Sequence, residues 1–222
     1  MIGFLQKTKV FSVPFFVLVG GLSLLLLFYT KVEIEIWVNI RNNPALDYFF
    51  KYFTHLGDGV TALVISLIFL LFNIRKGLIL LISYLISGLF IQFLKILVFP
   101  DILRPVALMG QNYPLHLIEG VKIYSIQSFP SGHTGTAFAM FFCLAAFTSN
   151  KMMQLLALLT AILLAYSRMY LSQHFLPDVI GGAVIGTITS LLFLQLFEQK
   201  NLLSHLDHSL FSIKRTHAGQ NN

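Results

Sequence analysis

From Val10 to Tyr29 the chain runs for twenty residues without a charge. As a helix that length crosses the ~30 Å hydrocarbon core of a bilayer. It exceeds the apolar stretch of a signal peptide, and no small-residue cleavage site follows it. The run therefore predicts an uncleaved first transmembrane helix, with Lys7 and Lys9 ahead of it. Composition extends the point to the whole chain. Only 11% of the 222 residues are charged and 56% are hydrophobic, whereas a soluble domain carries about a quarter charged residues. Too few charges remain to coat a water-soluble globule. The single Cys143 lies in an apolar run, so no intramolecular disulfide forms and cysteine usage says nothing of redox compartment.

Five further spans are expected: Val60 to Phe72, Gly77 to Phe99, Pro130 to Thr148, Met152 to Tyr170 and Asp178 to Phe197. Between the first two spans, Lys31 to Gly59 mixes Glu33, Glu35, Arg41, Asp47 and Lys51 with aromatic residues, a pattern suited to the membrane interface. Asn43-Pro44 and Gly57-Asp58-Gly59 punctuate it as turns. Residues 100–129 form a long polar connection of the kind that is more often functional than idle. The expected architecture is all-α, a six-transmembrane-helix bundle in one domain over 1–222. Its core is 10–197, and its polar cytoplasmic tail, 198–222, is loosely held.

Six spans put both termini on one side. The inner segments then hold Lys7, Lys9, Arg75, Lys76, Lys151, Lys200, Lys214 and Arg215. The outer ones hold Lys31, Arg41, Lys51, Lys95, Arg104, Lys122 and Arg168. With Lys95, Arg104 and Arg168 set aside as members of a site, the basic excess faces inward, which makes the termini cytoplasmic. Seven acidic residues balance the outer cations, so the net charge of +6 lies on the inner side and needs no nucleic acid to explain it.

The charges set aside share one membrane face. Lys95 ends the third span, Arg104-Pro105 follows it, Pro130-Ser131-Gly132-His133 opens the fourth, Ser167-Arg168 closes the fifth, and His174 and Asp178 flank the start of the sixth. Ionisable groups at such positions call for partners. Three cations, two histidines and one carboxylate make an anion site. Arginine offers a planar fork of donors that fits phosphate oxygens. Pro130 suits a first helical turn, and Ser131 and Gly132 would present backbone N–H groups at a positive helix end. Pro177 starts the sixth span with Asp178 in its first turn. His174, four residues earlier, is within reach of that carboxylate, which would fix its tautomer and make the other nitrogen a better nucleophile or base.

Pro130-Ser131-Gly132-His133 and Ser167-Arg168-(five residues)-His174-(three residues)-Asp178 resemble the second and third signatures of the type-2 phosphatidic acid phosphatase family, in the superfamily of the vanadium haloperoxidases. The first signature is matched loosely, because eight residues separate Lys95 from Arg104-Pro105, two more than that pattern accommodates. The resemblance implies a metal-independent, cofactor-free phosphatase with a phosphohistidine intermediate. In it His174 attacks phosphorus, Asp178 orients His174, and His133 protonates the leaving oxygen and then activates water. Lys95, Arg104, Arg168, Ser131 and Gly132 bind the phosphate oxygens. Such a cradle suits phosphoryl transfer, which needs positioning and charge stabilisation.

Plainer readings hold elsewhere. His55, His116, His205, His208 and His217 are interfacial decoration. His116, Glu119 and Lys122 belong to a solvated loop face, and Asp101 braces Arg104. Gly181, Gly182 and Gly186 form a helix-packing strip. A metal held by His133, His174 and Asp178 would be repelled by the three cations. The expected function is hydrolysis of a lipid phosphate or diphosphate at the outer leaflet of the inner membrane, with membrane lipids around it. Candidate substrates are undecaprenyl diphosphate, phosphatidic acid, phosphatidylglycerol phosphate and phosphorylated lipid A. The alternatives are phosphate transfer between lipids and a non-catalytic lipid-phosphate binder or transporter.

Overall fold

The computed structural model describes residues 2–210, and every regular element among them is helical. Lys214, Arg215 and His217 lie outside the described residues. The elements are α1 (Ile2–Lys7), α2 (Lys9–Phe28), α3 (Lys31–Asn39), α4 (Pro44–Phe53), α5 (Gly59–Phe72), α6 (Ile74–Phe93), α7 (Pro105–Met109), α8 (Gly132–Ala146), α9 (Lys151–Tyr170) and α10 (Leu176–Gln199).

Polar side chains stop the helices where the apolar runs break. Asn43, Asp58, Asn73 and Asn150 each accept a first-turn N–H, and Thr30 forms a capping box with Glu33. Such caps contribute ~1 kcal/mol each. Among the described residues four helices are long and apolar enough to cross a membrane alone: α2, α6 with its continuation to Val98, α9 and α10. The pair α4–α5, bent by 54°, has the length and apolarity of a fifth when taken together, the pattern of a broken span or a re-entrant loop. The turn at Gly57-Asp58-Gly59 therefore separates two helices, with Asp58 capping the second, and α5 over Gly59–Phe72 matches the expected second span closely.

The sixth apolar helix, α8, has only 15 residues. At 1.5 Å per residue it extends ~22 Å, less than the ~30 Å hydrocarbon core. Its position removes the conflict. α8 is the hub of the bundle, packed against α6, α9 and α10 and touching α5. Ala137, Phe138, Ala139, Met140, Phe142 and Cys143 along it are all buried. Protein surrounds it, so its N-terminus opens inside the bundle. Small residues allow the close approach to α10: a Cβ on Gly182 would lie 2.4 Å from the Ser131 carbonyl oxygen, and one on Gly186 2.2 Å from that of Gly135. Phe11 and Phe15 of α2 close another side, with ring centroids 5.4 Å from Phe142 and 5.3 Å from Phe138.

The segment after α10 is held more firmly than its polarity suggests. Ile74 donates its N–H to the His208 carbonyl at 3.0 Å, and Asn73 and Arg75 reach Asp207 at 2.6 and 3.9 Å.

Candidate active site

One end of the bundle gathers the charged residues of four separate stretches. A cavity of about 370 Å³ is lined by Lys95, Arg104, Gly132, His133, Arg168 and His174, together with Gln92 and residues 124–127 of the long connection. Among the described residues no carboxylate lines it.

α9 ends at Tyr170 and α10 begins at Leu176, so His174 lies in a five-residue turn fastened at both ends. The N–H groups of Gln173 and His174 both donate to the Arg168 carbonyl, and Ser172 adopts a left-handed backbone at φ +49°. Asp178 occupies the first turn of α10 and accepts the Phe175 N–H at 2.9 Å, closing the helix start. Its Oδ2 also accepts the Ser128 hydroxyl at 2.5 Å and stands 3.6 Å from His174 Nδ1. That last separation is an ion-pair distance, and Nδ1 has no hydrogen-bond partner. On the other side of the ring, an Arg104 guanidinium nitrogen lies 3.3 Å from Nε2. A guanidinium only donates, so Nε2 is the acceptor and the ring proton resides on Nδ1. Burial, and then the nearby Arg104, Lys95 and Arg168, push the proton affinity of His174 well below its ordinary value. The imidazole is neutral at neutral pH, with its lone pair on the cavity side.

The cations are held by backbone oxygens. Arg104 donates Nε–H to the Ile126 carbonyl at 3.0 Å and another N–H to Gln173 at 3.1 Å. Burial lowers its pKa, and Asp178 pulls the other way. Lys95 is buried and donates to the Gln127 carbonyl at 2.8 Å. Gln127 has φ +57°, a left-handed conformation uncommon for a side chain of its size. Lys95 itself lies in a π-helical turn, Leu94–Val98. A π turn inserts an extra residue into a helix, so the long spacing to Arg104 is absorbed within the helix as well as after it. Arg168 donates to the Thr54 hydroxyl at 2.7 Å, while its Nε–H is buried without a partner.

Several expectations need correction. α8 starts at Gly132 with Ser131 as its N-cap, so Pro130 precedes the helix and is not in its first turn. The Ser131 N–H donates to the main-chain oxygen of Asp178 at 2.9 Å, and its hydroxyl accepts from Thr134 at 2.9 Å. Ser131 ties α8 to α10 and does not line the cavity, whereas Gly132 and His133 do. Arg104 turns its donors to Ile126, Gln127, Gln173 and His174, and among the described residues it makes no bond to Asp101. The long connection is anchored: Asn39 exchanges two hydrogen bonds with the His116 backbone, and the His116 ring meets Asp47 at 2.8 Å. Gly182 and Gly186 do pack helices closely. Ser128 and Thr54 had no spacing signal of their own; the path of the chain alone brings them to Asp178 and Arg168.

A family model described as the PAP2 superfamily matches residues 76–202, more than half of the chain. Over 70 residues the chain is 36% identical to phosphatidylglycerophosphatase B of Bacillus subtilis (strain 168), covering 28% of this chain and 34% of that protein. The match therefore spans about a third of that relative's length. The crystal structure of Aquifex aeolicus LpxE is similar with a TM-score of 0.66 and 28% identity, over 73% of this chain and 93% of that one. A transmembrane PAP2-type phosphatidylglycerolphosphate phosphatase from Bacillus subtilis is similar in fold, with a TM-score of 0.62 and 23% identity over 88% of this chain and 97% of that one.

Proposed function

The chain belongs to the PAP2 superfamily, and from that premise we propose that it is an integral membrane phosphatase acting on a lipid phosphate or diphosphate through His174. The observation that carries the reading is the setting of that imidazole. Nδ1 faces Asp178 at 3.6 Å, and Nε2 faces a cavity that holds Lys95, Arg104 and Arg168 and no carboxylate.

Nε2 attacks phosphorus, forming an N–P bond as the bond to the leaving oxygen breaks. Asp178 stabilises the charge that appears on the ring. His133, at the N-terminus of α8, gives its proton to the leaving oxygen. A water then loses a proton to His133 and attacks phosphorus, releasing inorganic phosphate and restoring His174. Lys95, Arg104, Arg168 and the Gly132 end of α8 stabilise the phosphoryl oxygens throughout. Their three charges perform the neutralisation that a divalent metal performs in other phosphatases, so no cofactor is invoked. Ser131 acts by fixing α8 to α10.

The substrate keeps its tail in lipid while its headgroup enters the bundle end. Undecaprenyl diphosphate, phosphatidic acid, phosphatidylglycerol phosphate and phosphorylated lipid A all meet that requirement. The basic excess of the segments on the side of the termini supports an extracytoplasmic site and cytoplasmic termini. The test is phosphate release from a short-chain lipid phosphate, measured in EDTA, by wild type and His174→Ala. Turnover that survives EDTA, is inhibited by vanadate and is lost in the variant is expected. Abolition by EDTA, or a fully active variant, overturns the mechanism.

A further inference from the structure

Three cavities meet at His133. Besides the one that holds Lys95, Arg104 and His174, it lines a space of about 270 Å³ toward Lys51 and Lys122. The third, of about 350 Å³, is enclosed by the starts of α5 and α8 and by Gln92 of α6. Among the described residues that line the three, Asp58 is the only carboxylate, and it belongs to the third.

The turn that carries Asp58 is fastened to the site. Thr54 accepts the Arg168 guanidinium at 2.7 Å and the Ser167 hydroxyl at 3.1 Å. Gly57 lies against α8, where a Cβ would stand 3.4 Å from the His133 carbonyl oxygen and 3.6 Å from Ala137 Cβ. Asp58 follows and caps α5, its Oδ1 accepting the Thr61 N–H at 2.9 Å. Its Oδ2 has His55 Nδ1 at 3.6 Å, but the His55 side chain is 67% exposed. Solvent screens so loose a pair, and Asp58 keeps most of its charge for the cavity it lines.

We infer that Asp58 is a positioning residue that acts through His133, keeping its imidazole protonated for the leaving-group step. The inference rests on the phosphatase reading, in which His133 is the acid. An acid must hold its proton until the bond breaks, and the surroundings of His133 work against that. Arg168 on α9 and His174 before α10 line the first cavity with it, as do Lys95 and Arg104. Lys51, Lys122 and His55 line the second. Nearby positive charge and partial burial both favour the neutral ring, whereas an opposite charge favours the imidazolium. Asp58 is the opposite charge that shares a cavity with it. In the first step the proton passes from His133 to the leaving oxygen as that oxygen parts from phosphorus. In the second, the attacking water returns a proton to His133. Asp58 stabilises the same imidazolium in both steps and exchanges no proton itself.

The test is Asp58→Asn, which keeps a side-chain oxygen to cap α5, since Asn and Asp cap equally well, and removes only the charge. Two quantities are followed in detergent from about pH 5 to about pH 9. One is the titration of the His133 imidazole by NMR, its resonance assigned as the one missing from His133→Gln. The other is kcat/KM for phosphatidic acid and for farnesyl diphosphate. Activity falls as pH rises through the titration of the acid, so loss of an opposite charge moves that fall to lower pH. Both quantities should shift down by about one pH unit. The variant should then retain about a tenth of the wild-type kcat/KM on the alkaline side and at least about half of it on the acid side. A wild-type His133 that stays neutral throughout, or that titrates alike in both proteins, overturns the inference. So does a loss of kcat/KM by one constant factor at every pH, the mark of a merely structural role. If wild type releases phosphate from neither substrate, the phosphatase reading falls instead, and the His133 titration alone decides whether Asp58 is its partner.

Discussion

Replacing Gly182 by alanine tests whether helix packing sets the chemistry. A Cβ there would lie 2.4 Å from the Ser131 carbonyl oxygen and 3.2 Å from the Gly135 nitrogen. Ordinary contact begins at 3.4 Å, so the start of α8 must retreat from α10 by about 1 Å. The opposing atoms are backbone, and no rotamer change relieves them. Overpacking of this kind costs about 1–3 kcal/mol, and stretching the 2.9 Å bond from the Ser131 N–H to the Asp178 carbonyl adds about 1 kcal/mol. Alanine regains about 1 kcal/mol over glycine in a helix, so a net loss of about 1–3 kcal/mol is expected. Function should suffer more than stability. The displaced segment carries Gly132 and His133, while α10 carries Asp178, and a misplacement of 1 Å costs about a hundredfold in turnover. Phosphate release and thermal unfolding in detergent are measured for Gly182→Ala beside Gly21→Ala, a helical position where an added Cβ meets nothing within 4 Å. The first should lose about two orders of magnitude in kcat/KM and several degrees in Tm; the second should lose neither. A Gly182→Ala protein with more than half the wild-type kcat/KM and an unchanged Tm would refute the reasoning.

Two further perturbations follow from the buried groups. Glu35 is fully buried, neither carboxyl oxygen has a hydrogen-bond partner, and burial raises its pKa from 4.5 to about 8. The folded state thus favours the protonated acid: its stability contribution is complete below pH 4.5 and is lost as pH rises to about 8. At ~1.4 kcal/mol for each tenfold change in proton affinity, the loss is about 5 kcal/mol. Glu35→Gln should remove this pH dependence, and parallel Tm-versus-pH curves for variant and wild type would contradict it. Ser128→Ala deletes the 2.5 Å hydrogen bond to Asp178; a charge-assisted bond of about 1.5–3 kcal/mol translates into a loss of roughly ten- to a hundredfold in kcat with KM little changed. A shift confined to KM would place Ser128 with substrate binding instead.

Parts of the site were legible because they obey local rules. His174 and Asp178 are four residues apart across a helix start, and Pro177 and the acidic residue mark that start, so their approach follows from helix geometry. Gly182 and Gly186 repeat at helical spacing and pack as such a strip does. Lys95 was harder to place, because a π turn changes the register between it and Arg104 and no composition rule announces one. The Ser131 N–H was hidden for a related reason. A helix N-terminus ordinarily offers its N–H groups to an anion, and only the crossing of α8 with α10 reveals that the Asp178 carbonyl already accepts this one.

What the sequence by itself determined is the solvent, the helical class and which candidate residues stand close along the chain, since scarcity of charge and spacing within a few residues are properties of the chain alone. The tertiary structure decided which of those residues meet. The 100–129 connection has no periodicity to predict its path, yet that path brings Ser128 to Asp178, Gln127 to Lys95 and Ile126 to Arg104. It also decided that the short α8 is viable, because neighbouring helices take the place of lipid around it. Contacts across dozens of residues depend on how the whole bundle closes, and no local pattern records that closure.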